Sequence, residues 1–296
     1  MLGPLLSDHP IVGLVVPLTD AQWARLEPLL PDRAPKRGGR WRDHREVIDA
    51  IAWKFQTGSQ WVHLPEKYGS WKGAYNRLRN WAIDGTWEER VFTSLLAQAD
   101  ADEDLDWVVA VDSSVVRAHQ HAAGARKKGP CPASRDHVLG RSRGGLTTKV
   151  HLAADGRCRP LAFVLTPGQA GDAPAFTSVM AALRVPRAFG RPRTRPDTVL
   201  ADKAYSSRAI RDHLRRRKIR VVIPVPADQR AHRQRRGSHG GRPPAFDREV
   251  YKQRNTVERC INRLKQWRGL ATRYEKTAAV YLAGLHLAGI FIWSDR

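Results

Sequence analysis

Two aspartates and one helix carry the residues best placed to do chemistry. Asp112 stands directly after the apolar run WVVAV (107–111), and Asp202 directly after TVLA (198–201). Desolvating a carboxylate is costly unless a cation or hydrogen-bond donors compensate, so an acid at the end of a buried strand asks for a reason. In an open α/β sheet, ligands sit outside the carboxyl ends of the strands, which would aim both acids into one crevice. The competing reading of each acid alone is a turn former or helix cap. The third element is Val250–Trp267, tested at about 100° per residue. With Tyr251 at zero, Arg254 falls near ~300°, Glu258 near ~340° and Lys265 near ~320°, so all four share a ~60° sector. Val250, Val257, Cys260, Ile261, Leu264 and Trp267 form an adjoining core stripe. A helix packed on a sheet would present such an edge to the crevice. A surface ion pair between Arg254 and Glu258, worth only ~0.3 kcal/mol, would leave Tyr251 and Lys265 unexplained.

Positioning these groups requires a mixed sheet. Trp107–Val111, Thr147–Ala153, Leu161–Leu165, Thr198–Ala201 and Ile219–Ile223 read as strands, Pro174–Leu183 and Ser207–Arg217 as helices, and further helices close the chain. Ahead of them, eight of the ten tryptophans fall at or before Trp107, in a stretch that reads as helical. Thr19 would cap a helix over Asp20–Leu30. Asp43 would open one whose face is Val47, Ile48, Ile51, Ala52 and Phe55. Ser70 would cap a third, with Trp71, Ala74, Tyr75, Leu78, Trp81 and Ala82 inward and Lys72, Asn76, Arg77, Arg79 and Asn80 outward. The expected division is a flexible lead-in over 1–17, a helical, helix-turn-helix-like unit over 18–100 and an α/β unit over 101–296. Pro31–Arg40, Ala122–Gly145 and Pro226–Pro244 read as basic connectors without regular structure.

These blocks carry a resemblance. Tyr251, Arg254, Glu258 and Lys265 match without a gap the YREK signature of IS4/IS5-type DDE transposases. VAVDSSVVRAHQH and TVLADKAYSS resemble the segments around that family's two aspartates. LTDAQWARLEPLLP through WVHLPEKYGSWKGAYNRLRNWAIDGTWE resembles the domain that precedes its catalytic domain. The resemblance runs from about Leu18 to the C-terminus and implies an IS5-family insertion-sequence transposase. It implies a ribonuclease-H-like core in which Asp112, Asp202 and Glu258 bind two Mg²⁺ or Mn²⁺ ions for DNA cleavage and strand transfer. Tyr251, Arg254, Lys265 and Lys203 would hold phosphates, and Lys72, Arg77 and Arg79 would contact terminal inverted repeats. A homodimer or larger assembly on double-stranded DNA, terminal repeats and target alike, follows from pairing two ends. The rival readings are an endonuclease of the same fold that cuts without joining, and a DNA-binding regulator with a relic site.

Composition agrees with a polyanionic partner. Over 296 residues, 51 Lys and Arg against 29 Asp and Glu leave +22, with 42% apolar residues enough to build a core. Cys131, Cys158 and Cys260 fit neither a disulfide framework nor a zinc finger. The apolar stretch Ala278–Trp293, interrupted by His286, falls short of the ~20 residues a membrane span needs. A cytoplasmic, nucleoid-associated protein with no membrane attachment is expected. His119 and His121 could pair on a metal, yet no third ligand is apparent in the sequence.

Overall fold

The computed structural model describes residues 15–33, 41–123 and 137–296. Most of the lead-in, most of the connector before Trp41 and the stretch 124–136, which holds Cys131, lie outside the described residues. Thr19 caps α1 (Asp20–Leu26) in a reciprocal capping box with Gln22. The Asp43 carboxylate accepts from the first amides of α2 (His44–Thr57), and Gly58 at φ +71° supplies the left-handed turn that ends it. α3 (Trp71–Ile83) buries Ala74, Leu78 and Trp81, as its apolar spacing requires. A π-helical stretch, Thr86–Phe92, leads into α4 (Thr93–Ala101).

The sheet then builds outward from β1 (Val108–Ala118). After a short turn of helix, α5 (Gln120–Ala123), come β2 (Gly140–Ser142), β3 (Gly145–Ala154) and β4 (Pro160–Pro167). β3 runs antiparallel to β1, and its other edge pairs with β4 and, at the far end, with β2. α6 (Asp172–Ala182) crosses over to β5 (Thr198–Ala201), which lies parallel to β1. α7 (Arg208–Arg216) then leads to β6 (Arg220–Val222), parallel to β5. Three antiparallel strands followed by two parallel ones, with helices on both faces, make the ribonuclease-H-like mixed sheet. α8 (Ala227–Arg235), α9 (Arg248–Tyr251), α10 (Asn255–Lys265), α11 (Arg268–Ala271), the two-residue β7 (Thr272–Arg273) and α12 (Ala278–Ser294) complete the chain.

The structure revises the sequence expectation in four places. β1 continues seven residues past Val111, because Ser113–Arg117 pair with Thr147–His151, so Asp112 lies inside a strand rather than after one. The helix expected over Val250–Trp267 tightens to a 3-10 turn at Lys252–Arg254 between α9 and α10, with the flanking backbone still right-handed helical. The stretch Pro226–Pro244 contains α8, which buries none of its residues and so leaves no apolar period to read. Gln229 nevertheless pins it, donating to the Ser206 carbonyl at 2.7 Å and accepting from the Ser206 hydroxyl. β2 lies within the expected connector Ala122–Gly145.

α12 is apolar all round, and it packs against α1, α2, α3, the Thr86–Phe92 turn and β4. Gly284 permits the close crossing with α2, since a Cβ there would meet the Phe55 ring at 2.4 Å. One hydrophobic cluster therefore runs from Leu18 to Trp293, across the boundary expected near residue 100. No helix among the described residues is long and apolar enough to cross a membrane.

Lys54 on α2 and Glu275, just beyond β7, form an ion pair across this junction with side chains 2% and 3% exposed. Removing one partner strands a buried polar group, so Lys54→Ala should cost about 3–5 kcal/mol in urea unfolding. Replacing both by apolar residues of similar volume should cost far less. Equal losses for the single and double variants would show that the pair does not join the two halves.

Candidate active site

β1 and β5 set the first two acids. Their register pairs Val111 with Ala201, so Asp112 and Asp202 are the next residues on adjacent parallel strands. Neighbouring strands lie about 4.8 Å apart, and residues in register point to the same face. On that face α10 packs against β1 and β3. Its core stripe, Val257, Cys260 and Leu264, is buried as its period predicts, which turns Glu258 toward Asp112 in the middle of β1.

Arg254 joins the acids. One guanidinium nitrogen donates to Asp112 Oδ2 at 2.6 Å and the other to Glu258 Oε1 at 2.7 Å. Asp112, Arg254 and Glu258 have side chains 18%, 20% and 46% exposed, so the cluster opens to solvent on the Glu258 side. Burial pushes the Asp112 carboxyl above its ordinary range. The Ser113 amide and Arg254 work against that shift, while the nearby charges of Asp202 and Glu258 add to it. Asp202 Oδ1 accepts from the Ala204 amide at 2.8 Å, fixing the turn Lys203–Tyr205.

The remaining sequence candidates divide. Tyr251 sits half-buried beside the acids, and burial raises its phenol above the ordinary value, with Asp202, Glu258 and Asp112 all adding to the shift. Lys203 is exposed next to Asp202. Lys265, two turns beyond Glu258 on the same face of α10, is half-buried, and burial lowers its ammonium. Lys72 and Arg79 are exposed on α3. His119 stacks on Tyr274 and lies against His121. Among the described residues no three His, Cys, Asp or Glu side chains stand in a metal-holding group. Between Asp112 and Glu258 lies the guanidinium of Arg254, bonded to both.

Arg77 requires a correction. The helical period places it on the outward face of α3, but its guanidinium stacks on Trp41 at 4.3 Å and Trp81 at 5.0 Å. It also donates to His44 Nδ1 at 2.7 Å, while His44 Nε2 donates to the Pro31 carbonyl. Burial and the Pro31 bond oppose each other at His44, and burial dominates, keeping the ring neutral enough to accept from Arg77. Arg77→Ala should therefore cost about 1–2 kcal/mol of stability, read as a lowered unfolding midpoint. Arg79→Ala should leave the midpoint unchanged and weaken DNA binding. The reverse pattern would exchange their roles.

Behind the acids lies a network that the sequence did not announce. Ser113 points to the opposite face from Asp112 and donates to Asp172 Oδ1 at 2.6 Å. Lys149 donates to the same oxygen at 3.0 Å and to the Ala170 carbonyl at 2.7 Å. Burial pulls Asp172 upward, but Ser113 and Lys149 hold it below the usual carboxylate range. His151 Nε2 meets the Thr166 hydroxyl at 2.8 Å, and burial lowers this ring to about 4. Buried Tyr205 closes the network against Phe176, with its phenol pushed up by burial. This scaffold fixes β1 at the residue next to Asp112. Its only sequence signal is strand alternation, readable once β1 is known to continue beyond Asp112.

Comparison with known proteins follows this geometry. A family described as putative transposase of IS4/5 family matches residues 18–91, and one described as transposase DDE domain matches residues 103–293. A putative transposase for insertion sequence element IS6501 of Brucella ovis is 32% identical over 148 residues, covering 50% of this chain and 98% of that protein. A putative transposase for IS402 of Burkholderia cepacia is 32% identical over 165 residues, covering 55% of this chain and 67% of that one. Among solved structures, a pre-cleavage Mos1 transpososome aligns over 81% of this chain and 82% of that one, at 15% identity and a TM-score of 0.26, too distant a superposition to bear on the site.

Proposed function

This chain belongs to the DDE transposases of the IS4/IS5 insertion-sequence family, and we propose that Asp112, Asp202 and Glu258 are its catalytic carboxylates. The observation that carries the assignment is the joint placement of the three acids. The Val111–Ala201 register sets Asp112 beside Asp202, and Arg254 ties Asp112 to Glu258. An all-oxygen donor set suits a hard divalent cation, Mg²⁺ or Mn²⁺, over zinc. Enzymes of this family use divalent metal ions. Asp112, Asp202 and Glu258 would hold a pair of such ions, whose chemistry would be Lewis-acid assistance of phosphoryl transfer on DNA.

The chain's own residues supply the rest. Asp112 lies in β1 and Asp202 directly follows β5, and their carboxylates accept from the Ser113 and Ala204 amides. Glu258, with its side chain 46% exposed against 18% for Asp112, reaches the site from α10. Arg254, released from the two carboxylates, would bind a backbone phosphate, and Tyr251, Lys203 and Lys265 would line the same strand of DNA. The helical unit over 18–100 would bind the terminal inverted repeats through Lys72 and Arg79, and the unit over 101–296 would cut and join. Pairing two ends makes the acting form a homodimer or larger, in the cytoplasm on nucleoid DNA.

Pre-cleaved terminal-repeat duplexes incubated with target plasmid and Mg²⁺ test this function. Covalent joining of 3′ ends to the plasmid is the expected result. Cleavage of uncut ends without joining would favour the endonuclease reading.

A further inference from the structure

We propose that the groove at the outer edge of the sheet binds an unpaired DNA strand beside the catalytic carboxylates. The groove encloses about 1200 Å³ between α7 and the segment 242–249, over a floor of Ile219, Val221 and Val222. Its cations are not all committed to the fold. Arg220 is taken by Asp247 at 2.7 Å and Arg215 by Asp212 at 2.6 Å, whereas Lys218, Arg242 and Arg248 have no ion pair among the described residues. Phe246 stands 38% exposed in the same groove, its ring 5.1 Å from that of Tyr251. The turn Lys252–Arg254, which follows Tyr251 directly, packs against β1 and β5, so Phe246 and Tyr251 link the groove to the strands that carry the acids.

Free cations beside an exposed aromatic ring and an apolar floor match an unpaired strand, which offers phosphates and open base faces together. A duplex offers the phosphates but keeps its bases stacked inside, leaving Phe246 without a partner. A strand from a second copy of this chain could pair with the open edge of β6, the last strand of the sheet. Cations on that edge and a net +22 on each copy oppose it.

This inference rests on the transposase reading, and its test separates the two. Binding of a labelled single strand of about 12 nucleotides, and of a terminal-repeat duplex, is followed by fluorescence anisotropy on the full chain without added metal. Phe246→Ala should weaken single-strand binding roughly tenfold and leave duplex binding within about twofold, because stacking is lost only where bases are open. Arg242→Gln with Arg248→Gln should weaken single-strand binding and flatten its log-affinity against log-salt slope by about 1.4. Unchanged single-strand affinity in both variants overturns the proposal, as does an equal loss for the duplex. A wild-type dimer in sedimentation that these variants abolish would assign the groove to a second copy instead. Failure of strand transfer with intact single-strand binding would refute the catalytic reading and leave the groove standing.

Discussion

Asp202→Asn is expected to lower metal-dependent cleavage by about three to four orders of magnitude, roughly 4–5 kcal/mol of transition-state stabilisation. The amide removes the negative charge that a hard cation needs, and it changes little else. Asn retains the oxygen that accepts from the Ala204 amide, so the turn Lys203–Tyr205 keeps its cap. The buried neighbours Ala201 and Tyr205 keep their packing. Binding to terminal repeats should persist because α3 packs against α2 and α12, elements other than those that carry the acids. Gel-shift and cleavage assays on one preparation provide the check. Cleavage within about tenfold of wild type would remove Asp202 from the catalytic set, and loss of repeat binding with an unchanged unfolding midpoint would undo the division of labour between the two units.

Much of this site was legible because strands and helices impose different periods on the sequence. The run TVLA before Asp202 gives β5 its true bounds, Thr198–Ala201, and the apolar period of Val257, Cys260 and Leu264 orients α10. What stayed hidden depends on contacts distant in sequence. Arg77 obeys the helical period and sits where the wheel places it, yet Trp41 and His44 come from another part of the chain to cover it. Lys54 looks like a surface residue of α2 until Glu275, 221 positions away, arrives to pair with it. Ser113 to Arg117 are too polar to read as strand, and only pairing with β3 reveals that β1 continues. The single core around α12 escaped for the same reason, since an apolar helix does not say which partners cover it.

Arg254 connects these levels, and its replacement should act in two opposite directions. Its guanidinium holds Asp112 and Glu258 together in the free protein, each through a charge-assisted bond of 2.6–2.7 Å. A divalent cation entering between these carboxylates must displace it. Such bonds contribute about 1.5–3 kcal/mol each when well shielded, and less here because Glu258 is 46% exposed. Arg254→Gln removes the competing charge, so Mn²⁺ affinity in the absence of DNA should rise by about tenfold, equivalent to about 1.4 kcal/mol. Cleavage should nonetheless fall by about a hundredfold or more if Arg254 is the proposed phosphate partner. Arg254→Lys keeps a charge but not the two-pronged fork, and should restore part of the cleavage while binding Mn²⁺ at an intermediate strength. Electron paramagnetic resonance of Mn²⁺ with the DNA-free protein reads the first effect independently of activity. Unchanged or weaker Mn²⁺ binding in Arg254→Gln would mean that the guanidinium assembles the carboxylates for the cation instead of competing with it, and the loss of cleavage would then reflect a disordered metal site.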